Sequence, residues 1–175
     1  DDRELHVRSR RQRQMCIRHR PYRHWISQWK FQHQHAAGEL LCQLLYQRAV
    51  LYQQQGGPLP DCISYTPVSN KRLQERGFNQ AKLLALQLAE AWQLPCVSLF
   101  QSPDLVPHQI GLNRKERLAN LKGKIQLKQR PLPAHVTLVD DVITTGATLD
   151  YLSSLLKAKG VQTVSVWTLA ITRAF

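Results

Sequence analysis

The sequence lacks the features that define several large classes of protein. No apolar run approaches the roughly 20 residues that a membrane-spanning helix needs, so we expect no insertion into a membrane. There is no G-x-x-x-x-G-K-[ST] loop, which argues against a P-loop nucleoside triphosphatase. The cysteines form no C-x-x-C pair that would predict a zinc ribbon or a redox site; they are Cys16, Cys42, Cys62 and Cys96. We therefore expect free thiols and a cytoplasmic protein.

Acidic residues are also scarce. The 175-residue chain has 24 Lys and Arg against 12 Asp and Glu, a formal net charge of +12 that favours anionic partners such as nucleotides, pyrophosphate or nucleic acid. Nine of the basic residues lie in the first 30 positions, and seven more lie between Arg114 and Arg130. We interpret residues 1–20 as a flexible basic arm and residues 21–175 as one domain. The arm is either solvated or a contact for single-stranded DNA.

Helices and strands are expected to alternate along the domain. Apolar spacing predicts helices over 21–31, 36–55, 79–92, 113–122 and 146–159. Short apolar and β-branched runs predict strands over 62–68, 96–100, 136–141 and 163–171. The expected core faces of the second and third helices carry Leu40, Leu41, Leu44, Leu45 and Val50 or Leu51, and Leu83, Leu86, Leu88 and Ala89. This order predicts an α/β fold with a central parallel sheet.

The first helix, 21–31, interleaves aromatic and basic residues. That combination is compatible with the stacking of nucleic-acid bases. The spacing of Tyr22, Trp25, Ile26 and Trp29 is helical, however, and we interpret these side chains as core.

Residues 136–148 combine a strand, two acids and a small turn. The apolar run 136–139 predicts a strand buried on both faces, and Asp140 and Asp141, here called the acid pair, follow at its carboxyl end. The phosphate turn (residues 144–148) then opens a helix with Thr144, Thr145, Gly146, Ala147 and Thr148. Backbone N–H groups at a helix start suit a phosphate, while carboxylates suit ribose hydroxyls or Mg²⁺. The pattern predicts a sugar phosphate site; the alternative is a receiver-type or purely structural strand.

A basic segment follows the strand 62–68 and opens onto the same edge of the sheet. Lys71, Arg72 and Arg76 suit a pyrophosphate, because a guanidinium binds two phosphate oxygens at once. Gly77 permits a positive φ or a close backbone approach. The alternative is a solvated basic loop.

Two of these segments resemble known signatures. Residues 136–148 resemble the phosphoribosyl diphosphate (PRPP) binding signature of type I phosphoribosyltransferases. Residues 65–81, YTPVSNKRLQERGFNQA, resemble the V-P-(V/L)-x₄-R-x-R-G-F-N-Q segment of the competence protein F (ComF/GntX-like) family of bacteria. The spacing of Gln109, Arg117 and Asn120 is similar to a further family element, and helix 21–31 resembles the family's opening helix, which ends in Lys-Phe.

The resemblance implies a type I phosphoribosyltransferase-like fold that binds PRPP with Mg²⁺. It also implies a mobile loop containing Arg114, Lys115 and Arg117, and a role in natural transformation with single-stranded DNA, a competence helicase and other DNA-processing proteins as partners. Many family members carry an N-terminal zinc module of paired cysteines. This chain has none, so we expect no zinc. Two hypotheses remain: a phosphoribosyltransferase for an unknown base or amine, and a DNA-uptake factor that keeps the fold as a nucleotide sensor or scaffold.

Overall fold

The computed structural model describes residues 20–32, 34–101, 121 and 123–171. The predicted basic arm, up to residue 19, and nearly all of the predicted helix over 113–122 lie outside these residues. The described elements are, in chain order, α1 (Arg20–Phe31), α2 (His35–Gln54), β1 (Cys62–Tyr65), α3 (Asn70–Arg76), α4 (Gln80–Trp92), β2 (Phe100–Gln101), β3 (Gln126–Leu127), β4 (His135–Ile143), α5 (Ala147–Ala158) and β5 (Thr163–Ile171).

Strand β4 is the centre of a parallel three-stranded sheet with the order β1-β4-β5. Cys62 of β1 lies opposite Val136 of β4, and Thr163 of β5 lies opposite His135. Because the three strands run in one direction, their carboxyl ends meet at one edge, where open α/β sheets bind ligands. The predicted α/β class with a central parallel sheet is confirmed.

The core is divided between the two faces of this sheet. One face packs against α1, α2 and α4 through residues that include Trp29, Leu41, Leu84, Leu88, Val139 and Trp167. The other face packs against α5 through residues that include Val136, Leu138, Leu152, Leu156 and Val166. Because successive strand residues point to opposite faces, β4 is buried on both, which explains its unbroken apolar run.

The predicted core role of the first helix is confirmed for Ile26 and Trp29, which are 4% and 2% exposed. The Trp29 ring also stacks on Phe78, with 5.7 Å between the ring centroids.

The predicted core faces of the next two long helices are partly wrong. Four leucines assigned to the core are exposed: Leu40, Leu51, Leu83 and Leu86. The buried residues of α4 include Ala81, Leu84, Ala85, Leu88 and Ala89. Alanines let a helix approach its neighbours closely, so the face that mixes Leu with Ala is buried, although another face of the helix also offers leucines.

Two predicted strands are shorter than expected. β1 ends at Tyr65, and the ladder continues only through the Thr66 N–H, because Pro67 has no N–H to donate. Of the predicted strand 96–100, Cys96 forms a single parallel bridge to Ile63, and Phe100 begins the short antiparallel pair of β2 with β3.

Candidate sugar phosphate site

The acid pair lies within the last four residues of β4, at the carboxyl edge of the sheet. The predicted strand over 136–141 includes these acids, and β4 extends two residues beyond its expected end, because β5 is long enough to pair with β4 as far as Ile143. β1 pairs with β4 only up to Val139. The acids therefore stand where β4 keeps one neighbouring strand and has lost the other.

The Asp140 carboxylate is held through one of its two oxygens. Oδ1 accepts a hydrogen bond of 2.9 Å from the Thr66 hydroxyl and one of 3.0 Å from the Asp141 N–H. The described residues give Oδ2 no hydrogen-bond partner. Burial and then the charge of Asp141 raise the pKa of Asp140 to about 7, although Thr66 and Lys30 oppose the shift. Ionising this carboxyl is costly until a cation or a hydroxyl donor compensates for the lost water.

Asp141 is engaged through both carboxylate oxygens. Lys30 Nζ lies 2.6 Å from Oδ2, and the two side chains are only 18% and 14% exposed. Oδ1 accepts a 2.6 Å bond from the N–H of Val142, and the backbone carbonyl accepts one of 2.9 Å from the Thr168 hydroxyl. Asp141 thus ties the end of α1 to the sheet, whereas its neighbour Asp140 lines a pocket on the other side of the strand.

The phosphate turn connects β4 to α5 and lines that pocket. Gly146 has a φ of +75° and caps the 12-residue helix α5, and the Thr145 hydroxyl accepts a 3.4 Å bond from the N–H of Ala147. The pocket has about 240 Å³ of open space and is lined by Asp140, Val142, Ile143, Thr144, Thr145, Gly146, Ala147, Thr148 and Leu149. The structure therefore brings all five turn residues together with Asp140.

The predicted basic loop is instead helix α3, so that part of the prediction is wrong. The Ser69 hydroxyl caps its start by accepting a 3.4 Å bond from the N–H of Arg72. Gly77 ends it with a φ of +79°, which confirms the positive φ allowed for this glycine. Ser69 before these seven residues and Gly77 after them are typical signals for the start and the end of a helix.

The three cations of α3 have different surroundings. Lys71 is 72% exposed, and its Nζ lies 4.0 Å from Glu75. The Arg76 guanidinium lies 5.3 Å from the centre of the Phe31 ring, and its Nη1 donates to Gln80 Oε1 at 3.5 Å. Burial and the nearby charge of Arg72 lower the pKa of Arg76, and Asp141 opposes this shift. Among the three cations of α3, Arg76 is therefore the one that interacts with a member of the acid pair, Asp141.

Comparison with known proteins identifies clear relatives. Competence protein F of Haemophilus influenzae is 39% identical over 153 residues, which are 83% of this chain and 66% of that protein. DNA utilization protein YhgH of Salmonella typhi is 34% identical over 152 residues, 84% of this chain and 66% of that protein. The chain belongs to the competence protein F family.

Competence protein ComFC of Bacillus subtilis is a further relative, 33% identical over 107 residues, which are 59% of this chain and 41% of that protein. This member of the competence protein F family spans just under two thirds of the length of the two relatives named above. No family model matches the chain.

Three solved structures share part of the fold. Glutamine PRPP amidotransferase from B. subtilis has a TM-score of 0.47 and 19% sequence identity, and the match covers 69% of this chain and 24% of that one. Purine phosphoribosyltransferase from Pyrococcus horikoshii has a TM-score of 0.45 and 17% identity, and the match covers 77% of this chain and 72% of that one. Orotate phosphoribosyltransferase from Aeropyrum pernix has a TM-score of 0.43 and 16% identity, and the match covers 78% of this chain and 60% of that one.

Two residues of this candidate site were not predicted from the sequence. Lys30 is the lysine of the Lys-Phe that ends the opening helix, and Thr66 follows β1 directly. Thr66 could have been found, because it ends a strand parallel to and beside β4. The Lys30 contact depends on how α1 lies on the sheet, for which the sequence has no local signal.

Several expectations concern other parts of the chain. The predicted mobile loop with Arg114, Lys115 and Arg117 lies outside the described residues. In the described ranges no helix combines the length and the apolarity needed to cross a bilayer. The same residues contain no cluster of three or more His, Cys, Asp or Glu that could hold a metal ion.

The cysteines among the described residues are free, as expected. They are Cys42, Cys62 and Cys96. Burial is the main cause that raises the pKa of the Cys42 and Cys62 thiols to about 11, so neither is a reactive thiolate at neutral pH.

Proposed function

We propose that this competence protein F relative acts in natural transformation, in the uptake and processing of single-stranded DNA, through a site that binds PRPP or a nucleotide with Mg²⁺. The observation that carries the proposal is that Asp140, whose Oδ2 receives no hydrogen bond from the described residues, lines the pocket of the phosphate turn. A carboxylate next to a helix start is unsuited to a wholly anionic ligand. It suits a sugar that carries a phosphate at one end.

In this proposal the phosphate turn binds the 5′-phosphate. The start of α5 offers N–H groups and the positive end of a helix dipole, and Thr144, Thr145 and Thr148 add hydroxyls around them. Gly146 leaves room above the turn, because among the described residues an added Cβ would meet only Ile143, at 3.8 Å.

Asp140 would bind the ribose hydroxyls, and its surroundings also fit Mg²⁺. That ion prefers oxygen ligands and is commonly held by one or two carboxylates, with water and substrate oxygens completing its shell. Asp140 Oδ2 is one such ligand, and PRPP brings the others. Mg²⁺ would add positive charge beside the pyrophosphate. Asp141, already bound to Lys30, would keep α1 in place rather than contact the sugar.

The basic helix α3 would bind the pyrophosphate. Arg76 is partly buried, and within the described part of the chain no carboxylate lies within ion-pair distance of it. Arg72 and the more exposed Lys71 would add charge, and Gly77 would set the end of the helix. A pyrophosphate would supply the anion that Arg76 lacks among the described residues.

A second candidate function is an active phosphoribosyltransferase for an unknown base or amine. A nitrogen nucleophile would form its bond to ribose C1 while the bond from C1 to pyrophosphate breaks, the bonding electrons leaving with pyrophosphate and the proton of the nucleophile passing to water. Arg76 would stabilise the charge that develops on the leaving group. Two observations favour catalysis: Asp140 and the phosphate turn line one pocket, and a partly buried arginine, Arg76, interacts with the neighbouring Asp141.

Calorimetry with three related ligands tests the proposed site. We expect PRPP to bind with Mg²⁺, ribose 5-phosphate to bind more weakly, and ribose not to bind measurably, because each loses one anionic group. Ribose binding equal to that of ribose 5-phosphate would contradict the phosphate turn. Release of pyrophosphate from PRPP in the presence of a panel of bases and amines then separates an enzyme from a sensor. Single-stranded DNA and a competence helicase are the macromolecular partners to titrate next, in keeping with the proposed cytoplasmic role.

A further inference from the structure

Phe31 is an exposed aromatic side chain on a helix whose other face is buried. It is the last residue of α1, and 68% of it is exposed, whereas Ile26 and Trp29 of the same helix are in the core. Exposed apolar residues are common on protein surfaces and need no explanation when they stand alone. Phe31 does not stand alone, because the Arg76 guanidinium lies over its ring at 5.3 Å from the centroid.

The ring is held in place from two directions. Lys30, the preceding residue, is bound to Asp141 at 2.6 Å, which fixes the end of α1 to the sheet. Arg76 is oriented by Gln80 Oε1 at 3.5 Å, and Gln80 itself is 1% exposed. The Phe31 and Arg76 pair is thus built from two helices that are both anchored, so little ordering would be needed before a ligand binds.

This pair lies at the same carboxyl edge of the sheet as the proposed sugar phosphate site. Phe31 is one residue, about 3.8 Å of backbone, from the lysine that contacts the acid pair. Arg76 also interacts electrostatically with Asp141. Phe31 and Arg76 therefore lie on the Asp141 side of β4, at the carboxyl edge of the sheet where Asp140 also lies.

We propose that Phe31 and Arg76 form a stacking platform for a nucleobase, which the protein binds next to the sugar phosphate; this rests on the proposed function. Every base has a π face that stacks on an aromatic ring, and an arginine beside the ring adds a cation–π contribution. The positive charge of the same arginine also attracts the phosphate group that a nucleotide carries. The base belongs either to a free nucleotide or to single-stranded DNA, because both present the same face.

The test compares ligands that differ only in the base. Affinities for AMP and ribose 5-phosphate are measured for the wild-type chain and for Phe31→Leu, Phe31→Trp and Leu51→Ala. Leu51 is an exposed apolar residue of α2 and serves as the control. We expect Phe31→Leu to weaken AMP binding about tenfold, with ribose 5-phosphate unchanged, because stacking is lost. Phe31→Trp should keep the affinity for AMP, and Leu51→Ala should have no effect.

A second arm identifies the source of the base. A thymidine oligonucleotide and an abasic oligonucleotide of equal length are titrated into the same variants. Suppose that the wild-type chain binds the thymidine oligonucleotide better than the abasic one, that Phe31→Leu abolishes this difference, and that ribose 5-phosphate does not bind. That result supports the stacking platform and contradicts the sugar phosphate proposal. Equal loss of AMP and ribose 5-phosphate in Phe31→Leu would mean that the ring only supports Arg76 and Lys30, and overturns the platform. It is also overturned if neither AMP nor the thymidine oligonucleotide binds the wild-type chain better than its base-free counterpart, or if Phe31→Leu changes nothing.

Discussion

Lys30 and Asp141 form a mostly buried ion pair, 2.6 Å between Nζ and Oδ2, that joins the first described helix to the central strand. The two residues lie 111 positions apart in the sequence, so this contact joins α1 to a strand that is distant along the chain. It is also the contact that separates the roles of the acid pair. Lys30 neutralises Asp141, whereas Asp140 lines the pocket and its Oδ2 receives no hydrogen bond from the part of the chain that the structure describes.

Removing Lys30 should destabilise the fold. In Lys30→Met the carboxylate of Asp141 is left unpaired in a mostly buried position, and the free energy of unfolding should fall by about 3 kcal/mol in denaturant titrations. The double variant Lys30→Met/Asp141→Leu should recover much of that loss, because it leaves no unpaired charge. If the double variant is as unstable as the sum of the single variants, the two residues are not coupled.

The stability should depend on pH through Asp140. Its folded pKa of about 7 lies above the ordinary 3.8, so the folded state binds more protons than the unfolded state between these values. The contribution of this carboxyl to stability is therefore fully present below pH 3.8 and is lost as the pH rises through 7. Denaturant titrations at pH 5 and pH 8 should show that Asp140→Asn is less sensitive to pH than the wild type. An unchanged pH dependence would mean that Asp140 ionises normally.

Gly146→Val should abolish binding of PRPP or a nucleoside monophosphate. A valine there fills the approach to the phosphate turn and also strains the backbone, because its φ is +75°. Gly56→Val is the matched control, since Gly56 has the same φ and has no neighbouring atom within 4 Å of an added Cβ. Both variants should lose about 1–2 kcal/mol of stability in thermal or denaturant unfolding, and only Gly146→Val should lose the ligand. Equal ligand binding by the two folded variants contradicts the phosphate turn.

Much of this arrangement could be predicted from the sequence. The run 136–139 indicated a strand buried on both faces, and Asp140 and the phosphate turn, which line the pocket, follow it in the sequence. Local signals of this kind depend on residues close together in the chain. The roles of the two acids could not be separated in advance, because the strand alternation places them on opposite sides but does not say what lies there. The contacts of Lys30 and Thr66 distinguish the roles of the two acids. Both residues are distant from β4 in the sequence and come close to it only in the folded protein.

The buried faces of the helices also could not be predicted fully from local sequence. Leucines occur on more than one face of α4, so apolar spacing alone did not distinguish exposed Leu83 and Leu86 from buried Leu84 and Leu88. The sheet and its neighbouring helices select the face that carries alanines.

Salt should weaken any binding of single-stranded DNA. If the basic arm and the segment 114–130 contact phosphates, the logarithm of the affinity should fall with the logarithm of the salt concentration, with a slope of about −0.7 for each phosphate neutralised. A chain that lacks residues 1–20 should show a shallower slope in fluorescence titrations. An identical slope in the shortened chain means that the arm makes no contact.

The most direct test of the sugar phosphate site compares Asp140→Asn with Asp141→Asn by calorimetry with PRPP and Mg²⁺, alongside denaturant unfolding. Asp140→Asn removes the free carboxylate at nearly constant shape. We expect it to stay folded and to bind PRPP at least tenfold more weakly, about 1.4 kcal/mol. Asp141→Asn breaks the ion pair with Lys30, so we expect mainly a loss of stability, with near-normal affinity for each folded molecule. The reverse result, with Asp140→Asn binding PRPP as the wild type does and Asp141→Asn losing the ligand while stable, would contradict the site described here.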